Sequence, residues 1–378
     1  MMEPALNSSP AHVKSRFAPV YDVLNSAIAS HTFPGCAFGV FAGGVVTLQD
    51  ALGHFTYDDD SNVVTPETVY DIASITKVGA TTAASMLLYQ RGLLDLDMPL
   101  GELLPGFVVG RSSGERAHHV KLRHLLAHSS GLPGYVELFR SAPTPAALLR
   151  AGLQLPLEAE PGIRAEYSDP GFILLGKALE VLTGEEFSAL VSKEILLPLN
   201  LASTGFAPPA SCRSSIPPTE EDTSFRHRRI QGEVQDENAS LLQGVAGHAG
   251  LFSNVPDLLT FASEVLAAGG PGVCTDAPKL FESKTIDTFA QPQGPKGSSR
   301  ALGWDTPSPE SSAGRHFSPH SIGHLGYSGC SLWIDLDASM AVVLLTNRTW
   351  PDRQNQAIRN LRPAFHDAVR ESLLAVNR

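Results

Sequence analysis

A serine and a lysine lie three residues apart in the segment YDIASITKVGATTAASMLLYQRG, which spans Tyr70 to Gly92. After the lysine, alanines and leucines recur at helical spacing, and Gly92 is typical of a C-terminal stop. Residues i and i+3 share one face of a helix, so the Lys77 amine would lie beside the Ser74 hydroxyl. Two interpretations fit this segment alone: a nucleophile with its base, or a capping serine followed by a solvated lysine.

A second segment with reactive side chains is AEYSDPGFILLG. Tyr167 and Ser168 lie in a turn-like stretch, just before a helix predicted to begin near Pro170. Taken alone, the segment could equally hold a turn tyrosine and a helix cap, with Ser168 or Asp169 as the capping residue. The segment therefore adds a candidate phenol and a candidate carboxylate without deciding what they do.

The third segment is GHLGYSGCSLWIDLD, in which glycines precede and interrupt a predicted strand. Gly326 and Gly329 lack side chains, so another backbone segment or a ligand could come close to them. His324 is a candidate binding residue, although a histidine at the end of a strand also has an ordinary structural interpretation. Each of the three segments is ambiguous by itself.

Together, the three segments follow the order and rough spacing of the active-site motifs in penicillin-recognising serine hydrolases. The chain resembles the group that contains class C β-lactamases, some D-alanyl-D-alanine peptidases and family VIII carboxylesterases. The likeness extends over roughly Phe33 to Arg348 and includes the segments LRHLLAHSSGLPG, GVAGHAGLFSNVPDLLTF and SLWIDLDASMAVVLLTNR. This breadth favours catalysis over a capped helix for the pair Ser74 and Lys77.

The resemblance implies that Ser74, Lys77 and Tyr167 are catalytic. A serine hydroxyl is a poor nucleophile until a neighbouring base takes its proton. A lysine amine, with an ordinary pKa of about 10.4, can do so only where burial and nearby cations favour its neutral form, and we expect such an environment for Lys77. Tyr167 could share the proton and pass it to the leaving group. The sequence leaves open which of the two is the acylation base.

The resemblance also implies that Asp169, His324, Gly326 and Tyr327 bind substrate, and that the backbone N–H groups of Ser74 and Tyr327 form the oxyanion hole. Two of these residues depart from the group. Asp169 stands where many relatives have asparagine, and His324 stands where many β-lactamases have lysine. A histidine is mostly uncharged at neutral pH, so we expect neutral esters to be hydrolysed faster than anionic β-lactams.

Three other patterns are interpreted as structural. GRSSG, with Ser112 at its centre, matches a nucleophile elbow but is followed by ERAHHVKL rather than a small-residue helix. His124 and His128 have helical i, i+4 spacing but lack the glutamate of a zinc protease motif. The acidic segment EVQDENA, which contains Glu233, Asp236 and Glu237, is predicted to be a solvated loop that could still reach the entrance of the cleft.

The composition limits the class of partner and the location. A net charge of -11 argues against nucleic acid and anionic membranes as partners. The four cysteines are widely spaced, which is typical of reduced thiols rather than of a disulfide framework or a zinc site. No apolar stretch reaches the length of a signal peptide core or a membrane span, so a cytoplasmic location is expected; a chain whose leader had been removed would look the same. We expect neither a metal nor a cofactor.

These motifs need elements that hold them around one cleft. Strands are predicted at both ends of the chain, with helices between them. Near the start they are GCAFGVFAGG and VVTLQDALGHFTYD, with a turn at Gly43 and Gly44, and near the end they are CSLWIDLD and MAVVLLTNRT. This order predicts an α/β fold: an antiparallel sheet flanked by helices, with an inserted, mainly helical domain. Residues 11–73 and 251–378 would form the sheet domain, and residues 74–250 the helical domain with long loops.

The sequence therefore predicts a metal-free serine hydrolase that works through an acyl-enzyme. Carboxylesterase activity on small acyl esters is the first choice, and a D-alanyl-D-alanine carboxypeptidase or a weak β-lactamase is the alternative. A catalytically silent binding or sensor module is the alternative of another class, against which the intact set Ser74, Lys77 and Tyr167 argues. The substrate is a small ester, amide or β-lactam, and the sequence indicates no oligomeric state.

Overall fold

The computed structural model describes residues 10–111, 114–271 and 279–375. Its β-strands, in chain order, are β1 (Gly35–Ala42), β2 (Val45–Gly53), β3 (Tyr70–Asp71), β4 (Gly205–Phe206), β5 (Pro218–Asp222), β6 (Arg228–Gln231), β7 (Leu251–Ser253), β8 (Ser321–Leu325), β9 (Ser331–Asp335) and β10 (Met340–Thr346). Its α-helices are α1 (Pro10–Arg16), α2 (Ala18–Ala29), α3 (Ala83–Gln90), α4 (Leu100–Leu103), α5 (Gly114–Ala117), α6 (Leu122–Leu126), α7 (Leu138–Ser141), α8 (Pro145–Leu153), α9 (Asp169–Thr183), α10 (Phe187–Val191), α11 (Glu237–Leu241), α12 (Val255–Gly269), α13 (Ser283–Ala290) and α14 (Ile358–Leu374).

A five-stranded antiparallel sheet, in the order β2-β1-β10-β9-β8, joins the two ends of the chain. Strand β1 pairs with β10, with Phe38 opposite Leu344, so the first and the last strands are neighbours in the sheet. The predicted turn between β1 and β2 is present, and Gly43 and Gly44 both have positive φ values, which a glycine adopts without strain. The α/β fold predicted from the sequence is confirmed.

Both faces of the sheet are buried under helices. Phe38 and Val40 pack in one apolar cluster with residues of α2 and α14, such as Leu24. Ala37 and Phe41, which point to the opposite face, belong to a second cluster that includes α12. At the central strand β10 neither face meets water, so its sequence, MAVVLLT, is continuously apolar rather than alternating.

The helices between the two strand regions include α9, which the sequence predicted from GFILLGKALEVLTG. The hydroxyl of Ser168 caps its N-terminus by accepting a hydrogen bond from the N–H of Gly171, and Gly184 ends it with a φ of 74°. These are the usual signals for a start and a stop. The division into a sheet domain and a helical domain stays a prediction.

Two predictions of elements are wrong in part. Between Ala202 and Gly250, where long loops were expected, the chain forms strands β4, β5 and β6 and helix α11. Strands β5 and β6 are polar and joined by ion pairs such as that between Arg229 and Glu221 at 2.8 Å, so they lack the apolar alternation that identifies a strand. The sequence also predicts a closing helix that Pro363 kinks or splits, but α14 is continuous, with Pro363 inside it. Among the described residues, no helix has both the length and the apolar character needed to cross a membrane.

The packing of α12 on the sheet leads to a stability prediction. A β-carbon at Gly39 would lie 2.6 Å from Val255 Cγ1 and 2.7 Å from Leu259 Cδ1, so Gly39→Ala forces these two side chains, or the helix that carries them, to shift. We expect the free energy of unfolding to fall by about 1–3 kcal/mol, measured by urea denaturation. Gly205→Ala is the control, because no atom lies within 4 Å of the added carbon. Equal stability of the two variants would contradict this account of the packing.

Candidate active site

The turn that carries Ser74 follows β3 and spans Ala73–Ile75. Ala73 has a φ of 48°, a conformation that residues other than glycine rarely adopt. It is held there by the buried carboxylate of Asp71, whose Oδ1 accepts from the N–H of Ala73 at 2.8 Å, while Oδ2 accepts from Gln235 at 2.7 Å. Asp71 therefore positions the turn that carries Ser74, and sequence analysis missed it, because a lone aspartate before a serine carries no pattern.

Lys77 begins a π-helical turn, Lys77–Thr82, and its side chain is fully buried. Its ammonium group donates to Ser74 Oγ at 3.0 Å, to Asp169 Oδ1 at 2.6 Å and to the carbonyl of His248 at 3.2 Å. Burial lowers the pKa of Lys77, but the negative charge of Asp169 and the influence of Tyr167 outweigh it and raise that pKa above its ordinary value. We expected an environment that favours the neutral amine of Lys77, and this expectation is wrong. The carboxylate of Asp169 keeps Lys77 protonated.

Tyr167 lies just before α9 and faces the same lysine. Lys77 Nζ is 4.8 Å from the centre of its ring. Desolvation raises the pKa of the Tyr167 phenol, and the positive charge of Lys77 only partly offsets this. The next residue, Ser168, donates its N–H to Nδ1 of the buried His128 at 3.0 Å, and the His128 ring packs 4.6 Å from that of Tyr167. The resting site thus holds an ammonium, a carboxylate and a neutral phenol.

His324 lies in β8 and is almost fully buried. Its Nδ1 donates to the carbonyl of Leu325 at 2.9 Å, so in the neutral ring Nε2 is a hydrogen-bond acceptor. No partner for Nε2 is found within the described part of the chain. Burial, with the charges of Lys77 and Arg300, holds the pKa of His324 well below its ordinary value. The residue is a neutral acceptor, which agrees with the absence of charge expected at this position.

Gly326 and Tyr327 follow at the end of the same strand. A β-carbon at Gly326 would lie 2.5 Å from the carbonyl oxygen of Ile72, so only glycine lets this strand end approach the turn that carries Ser74. The Tyr327 side chain is half exposed, and the guanidinium of Arg348 lies 4.4 Å from its ring centre. The N–H groups of Ser74 and Tyr327 therefore belong to adjacent backbone segments, and their use as an oxyanion hole stays a prediction.

These residues meet at one cavity of about 590 Å³. Its lining includes six of the seven predicted site residues, namely Ser74, Tyr167, Asp169, His324, Gly326 and Tyr327. Lys77 lies directly behind Ser74. The structure thus brings together all seven predicted site residues. Asp169 was expected to bind substrate, but one of its oxygens accepts a hydrogen bond from Lys77.

The cavity also contains residues that sequence analysis missed or misjudged. Arg300 lies 5.1 Å from the ring centre of Tyr167, and no motif marked it. Asp236, predicted to lie in a solvated loop, lines the cavity and pairs with His248 at 2.8 Å. Burial opposes its ionisation, but His248 and the hydrogen bond from the N–H of Ala239 lower the pKa of Asp236 to about 2. The solvated loop predicted for this segment is wrong at Asp236, because the nearby His248 and Ala239 bind its carboxylate, and the alternative that the segment reaches the cleft agrees with its place in the cavity lining.

Of the remaining sequence patterns, the two histidines have structural roles, and the serine of the elbow-like segment lies outside the described residues. His124 accepts a hydrogen bond from the N–H of Lys121, and His128 positions the segment that carries Tyr167. Within residues 10–111, 114–271 and 279–375, no group of three or more His, Cys, Asp or Glu side chains could hold a metal ion. Ser112, in the elbow-like pattern, lies outside the described residues.

Comparison with known proteins identifies the same family over most of the chain. A family model described as Beta-lactamase matches residues 20–364. The chain is 28% identical to an N-acetylmuramyl-L-alanine amidase of Bacillus subtilis, over 92% of this chain and 85% of the amidase. It is 29% identical to a Salmonella typhimurium protein provisionally named a D-alanyl-D-alanine carboxypeptidase, over 84% of this chain and 79% of that protein.

A solved structure supports the fold. The hydrolase EstCE1, described as having promiscuous acyltransferase activity, superposes with a TM-score of 0.75 at 22% identity, and covers 96% of this chain and all of its own. At this level of identity the likeness concerns the fold.

The buried Asp71 leads to a prediction for pH. Burial raises the pKa of Asp71 to about 6, and its protonation would remove an acceptor from the turn that holds Ser74. We expect the rate at which a fluorophosphonate labels Ser74 to fall about tenfold between pH 7 and pH 5. The folded pKa lies above the ordinary value of 3.8, so the proton binds the folded state more tightly, and this group does not destabilise the fold as pH falls.

The measurement is intact-protein mass against time, with the melting temperature recorded at each pH. Asp71→Asn should label slowly at every pH, because one N–H loses its acceptor. Its labelling rate should not change near pH 6. If the labelling rate of Asp71→Asn still falls between pH 7 and pH 5, a group other than Asp71 is responsible for the pH dependence.

Proposed function

The chain belongs to the beta-lactamase family, whose members are serine hydrolases, and on that premise we propose that it hydrolyses small acyl esters through an acyl-enzyme on Ser74. The observation that carries the proposal is the contact of 3.0 Å between Ser74 Oγ and Lys77 Nζ at the wall of a cavity of about 590 Å³. A nucleophile and a proton-handling group within hydrogen-bond reach are what acyl transfer needs.

Acylation must work with a lysine that is already protonated. Ser74 gives its proton to Lys77 while Lys77 passes one of its own to Tyr167 and the Tyr167 phenolic proton moves to the leaving oxygen. The bond from Oγ to the acyl carbon forms, the ester C–O bond breaks, and the alcohol departs. Lys77 and Asp169 carry the same charges before and after the step, so their buried ion pair is kept.

Deacylation reverses the same path. A water molecule attacks the acyl carbon and its proton goes to Tyr167. Tyr167 returns a proton to Lys77, and Lys77 returns one to Ser74 Oγ as the acyl C–O bond breaks. In both steps the backbone N–H groups of Ser74 and Tyr327 would hold the oxygen that gains charge. The proximity of these two segments, through Gly326 and Ile72, supports this assignment.

The neutral ring of His324 favours esters over β-lactams as substrates. Its neutral ring offers an acceptor and no positive charge, so it makes no ion pair with the carboxylate of a β-lactam. A hydrogen bond to a charged group contributes roughly 1.5–3 kcal/mol. A neutral ester does not need that contact and loses nothing by its absence.

A second candidate is hydrolysis of a peptide-like amide that carries a carboxylate. Arg300 favours it, because its guanidinium lines the cavity beside Tyr167 and could bind that carboxylate near the leaving group. The names of the two relatives point the same way, one as an amidase and the other provisionally as a carboxypeptidase.

Covalent labelling tests the main proposal. Ser74→Ala should lose both the turnover of p-nitrophenyl acetate and the mass increase caused by a fluorophosphonate, because the acyl group has no other acceptor. Ser112→Ala, in the elbow-like pattern, should keep both. Full labelling of Ser74→Ala would show that another residue is the nucleophile, and no labelling of the wild type would favour a silent module.

The choice between the two candidates depends on Arg300. We expect Arg300→Gln to lower kcat/KM for a D-alanyl-D-alanine peptide, with its free carboxylate, by about ten- to a hundredfold, and to change p-nitrophenyl acetate less than about threefold. Arg164→Gln is the control, since that exposed arginine is already paired with Glu158. The amide candidate is excluded if the wild type turns over no such peptide while it hydrolyses the ester.

A further inference from the structure

The peptide group between Gly326 and Tyr327 has a guanidinium on its carbonyl side. Nη2 of Arg362, a residue of α14, donates to the carbonyl of Gly326 at 2.6 Å and to that of Cys330 at 2.9 Å. The peptide is trans, and the C=O and N–H of a trans peptide point in opposite directions. The N–H of Tyr327 therefore points away from Arg362, and no backbone acceptor in the described part of the chain binds it.

A second guanidinium binds the carbonyl that follows Tyr327. Nε of Arg348 donates to the Tyr327 carbonyl at 2.8 Å, and Nη1 of Arg348 donates to the carbonyl of Asn355 at 2.9 Å. The turn is also closed from within, because the N–H of Gly326 donates to the carbonyl of Cys330 at 2.8 Å. Arginines thus bind the carbonyls on both sides of Tyr327, so the direction of its N–H is fixed before a substrate arrives.

Neither arginine is neutralised by a carboxylate. Arg362 is 7% exposed and Arg348 is 4% exposed, and neither forms an ion pair within the part of the chain that the structure describes. Burial lowers the pKa of both guanidinium groups, that of Arg362 to about 10, so both are charged at neutral pH. A buried charge without a counter-ion is costly, and a neutral amide donor could bind the same carbonyls. The charge therefore indicates a function beyond holding the turn.

We propose that Arg362 and Arg348 are positioning residues for the oxyanion hole, and that their charge makes the N–H of Tyr327 a stronger donor. The inference rests on the proposed function, in which that N–H holds the oxygen that gains charge when Ser74 attacks the acyl carbon. A hydrogen bond to the carbonyl of a peptide polarises the amide, so its N–H becomes more positive and binds an anionic oxygen more strongly. In this role neither arginine has to touch the substrate.

The direction of the dipoles supports the proposal. The guanidinium of Arg362, the Gly326 carbonyl and the Tyr327 N–H follow one another across a single peptide group. The positive charge lies at the carbonyl oxygen, and the positive end of the N–H dipole faces the opposite way. The charge and the peptide dipole therefore act together on an oxyanion at the N–H, and such dipoles, fixed in advance, stabilise the charge that develops in acyl transfer.

Exchange of one substrate atom tests the proposal. p-Nitrophenyl acetate and its thiono analogue, with sulfur in place of the carbonyl oxygen, release the same leaving group, but sulfur is a weak hydrogen-bond acceptor. The ratio of their kcat/KM values, corrected for their relative rates with hydroxide, measures the contribution of the oxyanion hole. The ratio does not depend on the fraction of enzyme that is folded. For the wild type we expect it to favour the oxygen ester by at least about tenfold.

Variants of Arg362 separate its charge from its hydrogen bonds. Arg362→Gln keeps a donor but removes the charge, and it should lower kcat/KM about tenfold for the oxygen ester and less than about threefold for the thiono ester. Arg362→Lys should retain most of the wild-type ratio, because a single nitrogen, Nη2, binds both carbonyls and an ammonium can replace it.

Arg370→Gln is the matched control. Arg370 lies on the same helix and donates to the carbonyl of His316 at 3.3 Å, but it is not part of the cavity lining, so the ratio should stay at the wild-type value. If Arg362→Gln does not fold, as judged by circular dichroism, Arg348→Gln decides instead. It removes the charge at the Tyr327 carbonyl and should lower the ratio by at least about threefold.

The outcomes separate this inference from the proposed function. A wild-type ratio close to one overturns the inference and leaves the serine hydrolase assignment intact. An unchanged ratio in Arg362→Gln, or in Arg348→Gln where that variant decides, has the same meaning, because a residue that only stabilises the fold lowers both rates equally. Absence of any Ser74 acylation by a fluorophosphonate overturns both.

Discussion

The ion pair between Lys77 and Asp169 determines the charge state of the whole site. A buried ammonium is costly without a counter-ion, and here the three Nζ donors are all used, by Ser74, Asp169 and the carbonyl of His248. Asp169 is also the first residue of α9, where the N-terminal end of the helix dipole favours a negative charge. The pair thus links the turn that follows Ser74 to the helix that follows Tyr167. Its positive member also helps keep His324 and His128 neutral.

The sequence predicted what depends on local spacing. Ser74 and Lys77 are three residues apart on one turn, and the strands of the sheet are continuous apolar segments, so both could be recognised directly. Tyr167 and His324 were recognised through the resemblance of their motifs. The charge of Lys77 was predicted wrongly because it depends on a carboxylate 92 positions away in the chain. No local pattern encodes such a contact.

The same reason explains the residues that the sequence did not reveal. Asp71 acts on the N–H of Ala73 but is itself held by the N–H of Gln235, 164 positions away. Arg300 meets Tyr167 only because distant segments converge on the cavity. The acidic segment around Asp236 was taken for a solvated loop since charged residues usually face water. Its contact with His248 reverses that expectation. In each case the role of the residue depends on a tertiary contact, whereas the motif residues can be recognised from the sequence itself.

Ser74, the proposed nucleophile, is held from several directions before any substrate binds. The Asp71 carboxylate fixes the unusual backbone of Ala73, Gly326 lets β8 close against Ile72, and Lys77 holds the hydroxyl at 3.0 Å. Such a site needs little rearrangement to reach a reactive geometry. Because the lysine at that distance is an ammonium, proximity alone does not activate the serine. The step that separates the resting site from the reactive one is therefore the transfer of a proton between groups already in place, and the carboxylate of Asp169 is the group that sets its cost.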